Sequence, residues 1–511
     1  MMKHISNIVG CAILGICLTA CNDQLDIEQH GVLNSDTYYK TDEDAAEVLT
    51  AVYNDIAAME LMYFDVKNLL SDDVYRGAES YLSHDLWDFG FDASHQYIEV
   101  MFANYYNVIG KCNAVIDNLQ GESDAINRAK AEAKVVRAWM YFELTTLWGT
   151  PPLVDHLLSA SNTSIPNASQ EELWAFIEQD LNDAISSGML PQKSDIDDNT
   201  LYHVSKQYAQ ALLGKALLWQ GKNAEAAAAL EQVINSGLYG LFEGNYGDVL
   251  SVKYENNRES MFESNFIMDD ANPNACFRLY HLFLGVNSQI FQTGDNELGF
   301  GVVGWSGFQP KGDLYQAFVR EEGEDGYRLN ESMKTLQYLN EHGYTIRSGM
   351  TLYSEGYQAW KGRQELEACG TVSYWTNENN IRWMRYAEVL LLAAEANLGA
   401  GNQAKADLYL NEVRHRARLS DKTATLEAIK TEKRLELCWE CVRFQDLVRW
   451  GDAYEALKDQ GKQVPTVGSN GVVEWRDTGV DGGFKKGKHE LLPFPSSEIR
   501  VNKNIKQNPN W

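Results

Sequence analysis

Apolar residues recur at helical spacing along three long parts of this chain and lose that spacing in two others, and the alternation divides the sequence into a regular frame and irregular insertions. The most regular part is 381–450. Tyr386, Leu390, Ala394 and Leu398 fall at i, i+4, i+8 and i+12, so one stripe faces a partner, and Gly399 and Gly401 end that helix. The preceding IRWMR continues the same helical pattern. Asn402 is a good N-cap for a second helix that presents Ala404, Leu408 and Val413, and TEKRLELCWECVRFQDLVRW predicts a third.

Part of this pattern repeats. Tyr208-Ala209 followed by Leu212-Leu213 matches Tyr386-Ala387 followed by Leu390-Leu391. Counting on from Gly221 and Gly401 aligns Ala224 with Ala404, Leu230 with Leu410 and Val233 with Val413. Two short helices around a Gly-containing turn approach the roughly 34-residue tetratricopeptide unit, whose halves bury their apolar faces by stacking on neighbours. Further helices are predicted where Thr41 caps the run before Glu60, from Tyr105 to Leu119, from Ala129 to Leu147, and after Ser169, which forms a capping box with Glu172. The expected fold is therefore mainly α, with a scaffold over 40–64, 104–236 and 381–460. Residues 65–100 and 238–380, rich in Asp, Ser, Gly, Asn and aromatics without a sustained period, are expected to be loop-rich insertions.

Composition narrows the function. The formal net charge over 511 residues is −28, and no Lys/Arg cluster offers the basic face that neutralising phosphates requires, which argues against nucleic acid as a partner. Aromatic residues make up 11% of the chain, with 13 Trp and 26 Tyr, more than packing of a helical frame demands. At the N-terminus, Lys3 and His4 precede an apolar run, Ile8 to Leu18, too short for the roughly 30 Å hydrocarbon layer but suited to a secretory signal over 1–20. The run ends in Leu-Thr-Ala-Cys21, similar to a bacterial lipoprotein box, which implies lipidation of Cys21 and a polar acidic tether after it. Cys438 and Cys441 share a C-x-x-C spacing, but the surrounding pattern is helical and no second pair completes a zinc site, so both are expected as buried thiols on one helix face.

Signals for catalysis are sparse. No G-x-S-x-G elbow and no H-E-x-x-H motif occurs. Asp195, Asp197 and Asn199 imitate the start of a calcium loop, but Thr200 stands in place of the Gly and Lys206 in place of the bidentate Glu. No cofactor or metal is expected, although an incidental calcium site elsewhere stays open. A glycoside hydrolase, which needs two carboxylates across a cleft, and a helical scaffold for a protein partner remain as rival readings.

Several segments together resemble the SusD/RagB family of surface-exposed outer-membrane lipoproteins. They are the Leu-Thr-Ala-Cys21 box, AKVVRAWMYFELTTLWGTPPLV, WQGKNAEAAAALEQVINSGLYGL, IRWMRYAEVLLLAAEANLGAGN, LNEVRHRAR, EKRLELCWECVRFQDLVRWG and LLPFPSSEIRVNKNIKQNPNW, in the family's order from residue 18 to 511. The resemblance implies one domain over 21–511, with about four tetratricopeptide-like helix pairs and an irregular ligand-binding half. It also implies a non-enzymatic protein, held at the cell surface by its lipid, that passes glycans, or peptides in some branches, to a SusC-like TonB-dependent transporter. EDGYRLNESMKTL departs from the family, many of whose members carry a D-P-R-x motif there.

Sugars present flat C–H faces and ringed hydroxyls, so a glycan site pairs aromatic platforms with a few polar side chains. Trp139, Trp148, Trp174, Trp219, Trp383, Trp439 and Trp450 lie in or beside helical patterns and are read as packing. Trp87 is the first candidate, with Tyr81, Asp72 and Arg76 in the same early loop, because the resemblance implies that this loop lines the site. Trp305, flanked by Gly in VVGWSGF, is the second, and Tyr357 and Trp360 follow. Trp375 and Trp475 are read as wedges in their loops.

Overall fold

The computed structural model describes residues 38–77, 84–158, 164–195, 201–269, 271, 278–293, 304–369 and 376–511. Thirteen helices build the frame and border the site: α1 (Asp42–Ala58), α2 (Glu60–Leu69), α3 (Gln96–Asn118), α4 (Asp124–Trp148), α5 (Gln170–Ser186), α6 (Lys206–Trp219), α7 (Asn223–Asn235), α8 (Gly312–Glu322), α9 (Tyr386–Gly399), α10 (Gln403–Arg416), α11 (Leu426–Glu436), α12 (Arg443–Trp450) and α13 (Ala453–Leu457). Eight strands accompany them: β1 (Val74–Arg76), β2 (Ser260–Ser264), β3 (Phe308–Pro310), β4 (Thr351–Leu352), β5 (Tyr357–Ala359), β6 (Ile381–Arg385), β7 (Gln463–Gly468) and β8 (Val473–Asp477).

Helices pair as α1 with α3, α4 with α5, α6 with α7 and α9 with α10, and each pair packs on the next. The frame is thus mainly helical and tetratricopeptide-like. The predicted capping box of Ser169 with Glu172 forms, and the predicted cap at Thr41 proves to be a capping box too, closed by Asp44. In the third pair the backbones approach closely: a Cβ on Gly214 of α6 would lie 2.5 Å from Cγ of Leu230, so only glycine fits there. The step from α7 directly to α9 passes over residues 238–380, which therefore leave the stack as one excursion and return to it.

Three expectations for the last helices are corrected. Leu408 is 60% exposed, and the buried stripe of α10 runs through Ala406, Leu410 and Val413 instead. Asn402 precedes α10 but makes no side-chain cap bond to it; its amide donates to Asn397 Oδ1 at 3.3 Å. The stretch 381–385 is not helical but is β6, antiparallel to β2, because Arg382 and Arg385 reach buried carboxylates on opposite sides of the strand.

The third predicted helix also breaks, between α11 and α12, where Trp439 and Cys441 take positive φ of 67° and 64°. The cause is electrostatic. The Glu436 carbonyl accepts from the Tyr246 hydroxyl at 2.9 Å, from Lys361 Nζ at 2.9 Å and from Arg385 Nη2 at 3.1 Å, so it does not serve an intrahelical N–H. Cys438 and Cys441 are buried free thiols, as expected, but lie in this turn and not on a helix face. Around it sits an ionic core in which Arg385 meets Glu259, Glu436 and Glu440, and Arg328 meets Glu322, Glu432 and Glu436. Such mutually paired charges tolerate burial that single ones would not.

The insertions carry short elements of their own. The predicted first loop begins later than residue 65, since α2 runs to Leu69 with Val66 and Leu69 in the core. β1 then pairs antiparallel with β3, and β8, β7 and β4 form a three-stranded sheet in that order. A second, smaller core gathers Val286, Phe291, Leu336, Leu352 and Val467 with Trp360. Trp360 is only 7% exposed, so it is a packing residue of the insertion and not an open platform.

Candidate functional site

A cleft of about 500 Å³ opens where the early loop, the start of α8, the segment after α13 and the β7–β8 hairpin converge. Tyr75 is its central residue. As the middle residue of β1 it is held opposite Gln309, and β3 leads straight into Lys311, whose backbone N–H donates to Asp73 O at 2.9 Å. The Tyr75 hydroxyl donates to Glu355 Oε1 at 2.8 Å, and the Gly312 N–H donates to the same oxygen at 2.9 Å. Burial first, and then the Glu355 carboxylate, push the Tyr75 hydroxyl pKa up, so it remains a donor at every physiological pH.

Trp475 forms the opposite wall. It lies on β8, opposite Pro465 of β7, and every residue of β8 is exposed. Its ring is 50% exposed and meets Tyr75 edge to face with centroids 6.2 Å apart. Its expected role as a loop wedge is therefore corrected: a wedge is covered, whereas this ring projects from an edge strand into solvent. Lys311 approaches the Tyr75 ring with Nζ 5.4 Å from the centroid and donates to Gln460 Oε1; burial lowers its pKa to about 8. Exposed Asp313, Asp459 and Asp477 complete the rim, with Lys462 ion-paired to Asp459 at 2.7 Å.

The residues singled out in the sequence separate into three groups. Trp87 is 1% exposed: its indole N–H donates to Val74 O at 3.0 Å, and its ring lies 5.7 Å from Tyr75 at the floor of the cleft. It supports Tyr75 and offers no open face. Asp72 is not a solvated loop charge either. Its carboxylate accepts from Arg443 at 2.7 Å and 2.8 Å and lies 3.3 Å from Arg434; burial pushes its pKa up, but the two guanidiniums outweigh burial and hold it well below the usual range. With Trp360, these residues are committed to structure.

The second group stays at the surface. Arg76 is half-buried, with its guanidinium 5.9 Å from both the Trp87 and Tyr353 rings. Tyr357 is half-buried and stacks on Tyr315 with centroids 4.5 Å apart. Trp305 is half-buried against Phe283 at 5.8 Å. Gln358 ties these segments together, since its Oε1 accepts from Ser306 Oγ at 3.1 Å and from Gln309 Nε2 at 3.3 Å. The third group, Tyr81, Cys21 and the loop Trp375, lies outside the described residues.

Tyr75, Trp475 and Lys311 were missed by sequence reasoning. The alternation V-E-W-R-D across a Gly-rich hairpin was the available signal for Trp475, since it predicts an edge strand with one face open. Among the described residues, no group of three or more His, Cys, Asp or Glu is arranged to hold a metal ion, and no helix is long and apolar enough to cross a membrane.

Comparison with known proteins completes the picture. A model described as the SusD family matches residues 288–511, and one described as starch-binding associating with outer membrane matches residues 24–218. A SusD-like protein of Bacteroides ovatus is 25% identical over 87% of this chain and 82% of its own length. The starch-binding protein SusD of Bacteroides thetaiotaomicron is 23% identical over 83% of this chain and 81% of its own. Among solved structures, a laminarin binding SusD-like protein superposes with a TM-score of 0.78 at 28% identity, over 93% of this chain and 100% of that one. Surface glycan-binding protein A from Bacteroides thetaiotaomicron in complex with laminarihexaose shares the fold, with a TM-score of 0.73 at 21% identity, over 91% of this chain and 99% of its own. The chain belongs to the SusD/RagB family.

Proposed function

We propose that this protein captures a glycan at the cell surface, without hydrolysing it, and hands it to a SusC-like TonB-dependent transporter in the outer membrane. The observation that carries the reading is the open cleft at Trp475, in which an exposed indole and the carboxylates of Asp313 and Asp477 surround one hollow whose floor is the nearly buried Tyr75. Aromatic faces take the C–H face of a sugar, and the polar rim takes its hydroxyls. Arg76, 5.9 Å from the Trp87 ring at the floor of the cleft, and the half-buried Trp305 and Tyr357 are taken as further ligand contacts in this reading. A laminarin binding protein among the solved relatives and a starch-binding one among the curated relatives support a glycan as the ligand class. Lipidation at Cys21 after removal of residues 1–20 provides the anchor, since several acyl chains hold a protein to a membrane where one is marginal.

Affinity electrophoresis against laminarin, starch, xylan, galactomannan, pectin and carrageenan tests the reading. Retention by at least one polymer, lost in Trp475→Ala and without release of reducing ends, is the expected result. Hydrolysis, or the absence of retention on every polymer, overturns it. For the anchor, metabolic labelling with a radioactive fatty acid is expected to mark the wild type and not Cys21→Ala.

A further inference from the structure

The cleft at Trp475 does not end at α13. A second hollow of about 490 Å³ lies between α8, α11, α12 and α13, and Ala456 lines both. One helix forms a wall of each: Asp313 of α8 borders the first hollow, and Ala317 and Arg320 border the second. These positions, i, i+4 and i+7, share one helix face, so the wall is continuous over roughly 10 Å at 1.5 Å rise per residue. At the junction Ala456 of α13 lines both hollows, while Ala317 of α8, nearly buried, lines the second. The result is a groove with an aromatic end and a polar end, joined across a saddle at Ala456.

The polar end differs in character. Four basic and four acidic side chains line it, and pairs form among them or with residues just outside, as Lys430 does with Asp452 at 2.6 Å and Arg443 with Asp72 at 2.7 Å. Paired charges present many hydrogen-bonding groups with little net field. A neutral polyol can exchange water for them, whereas a polyanion meets Asp313, Asp459 and Asp477 against only Lys311 and Lys462 at the other end, and a chain of net charge −28 throughout.

We infer that the groove is one extended site for a neutral polysaccharide: part of the chain lies on Trp475 above the floor that Tyr75 forms, and the next part crosses Ala456 to hydrogen-bond among Arg320, Lys430 and their acidic neighbours. The inference rests on the glycan-capture reading and adds to it a second subsite and a ligand class. Ala456 is exposed, so a larger side chain there blocks the saddle with little effect on the fold.

Calorimetric titration of the wild type, Ala456→Trp and Trp475→Ala with an oligosaccharide ladder of the neutral polymer retained most strongly, from the disaccharide to the hexasaccharide, tests it. Affinity in the wild type is expected to rise with chain length. Ala456→Trp is expected to lose about tenfold for the longest oligosaccharide and to leave the shortest one bound unchanged, whereas Trp475→Ala weakens every length. If wild-type affinity is independent of length, or if Ala456→Trp affects long and short chains alike, the second subsite is overturned while glycan capture stands. Retention of only pectin or carrageenan overturns the neutral class and leaves capture intact. No binding of any glycan sinks capture itself, and the groove with it.

Discussion

Tyr75 and Trp475 meet edge to face at 6.2 Å, with ring planes at 73°, although among the described residues one lies on the first strand and the other on the last. The contact brings the early loop and the terminal hairpin to one site, and it separates two tryptophans that look alike in sequence. Trp475→Ala is expected to leave stability within about 0.5 kcal/mol, because half its surface is already in water, and to lower glycan affinity by about 0.5–1.5 kcal/mol. Trp87→Ala removes a fully buried indole and is expected to cost about 3–5 kcal/mol of stability. Urea unfolding with titration of the same samples checks both; equal stability losses in the two variants would reverse the assignment of floor and platform.

Asp72 fastens that early loop to α12. Removing the carboxylate leaves Arg443 and part of Arg434 buried without their partner, so Asp72→Ala is expected to destabilise by about 3–5 kcal/mol. Replacing both members, in Asp72→Leu with Arg443→Leu, is expected to recover most of that loss. The pH dependence follows from the depressed pKa: the ionised form is favoured in the fold, so its contribution is present above about pH 4, the unfolded value, and fades as pH falls towards the folded one. A double variant no more stable than Asp72→Ala would show that the loop is held by something other than this pair.

What the sequence made legible was whatever repeats. The Tyr208 and Tyr386 units, the Thr41 cap, the Ser169 capping box and the seven packing tryptophans follow from local pattern, and each of those tryptophans is buried or half-buried. Two kinds of feature escaped. One is the break after Glu436, imposed by Lys361, Arg385 and Tyr246 from distant parts of the chain, none of which alters the apolar pattern of RLELCWECVRF. The other is the division of loop aromatics into floor and wall. Trp87 sits in an aperiodic segment and Trp475 in a short V-E-W-R-D alternation that marks a strand without naming its neighbours, so the pairing of β1 with β3 and the β7–β8 hairpin decides which ring is covered.

Glu60 gives stability a slope near neutrality. Its Oε1 accepts from the N–H groups of Leu279 at 2.9 Å and Tyr280 at 2.7 Å, yet burial outweighs those bonds and raises its pKa to about 7. A carboxyl whose pKa is higher folded than unfolded stabilises fully below the unfolded value, near 4.5, and loses that contribution as pH rises through the folded one. Glu60→Gln keeps an acceptor for both N–H groups and does not ionise. Relative to wild type, the variant is expected to gain on the order of 1–3 kcal/mol between pH 5 and pH 8.5. A fixed cost of seating the amide cancels in that difference, as do the opposite contributions of His281 and His489, whose pKa values burial lowers. Parallel stability curves for the two proteins across this range would refute the assignment.

Gly461 sets how closely the cleft floor approaches the segment after α13. It has φ of 86°, and a Cβ there would lie 2.2 Å from Asp88 Cβ and 2.5 Å from Asp88 Cα, one residue from the buried Trp87. Gly451 offers an internal control, because its φ of 79° is similar but nothing lies within 4 Å of a built Cβ. Gly451→Ala therefore carries only the left-handed backbone cost, about 1–2 kcal/mol. Gly461→Ala adds a clash with the Asp88 backbone that no rotamer relieves. It is expected to cost at least about 2 kcal/mol more and to weaken glycan binding by displacing Trp87 beneath Tyr75. Melting curves of the two variants decide the point: equal losses would mean that the close approach to Asp88 relaxes freely and that the floor is not fixed from this side.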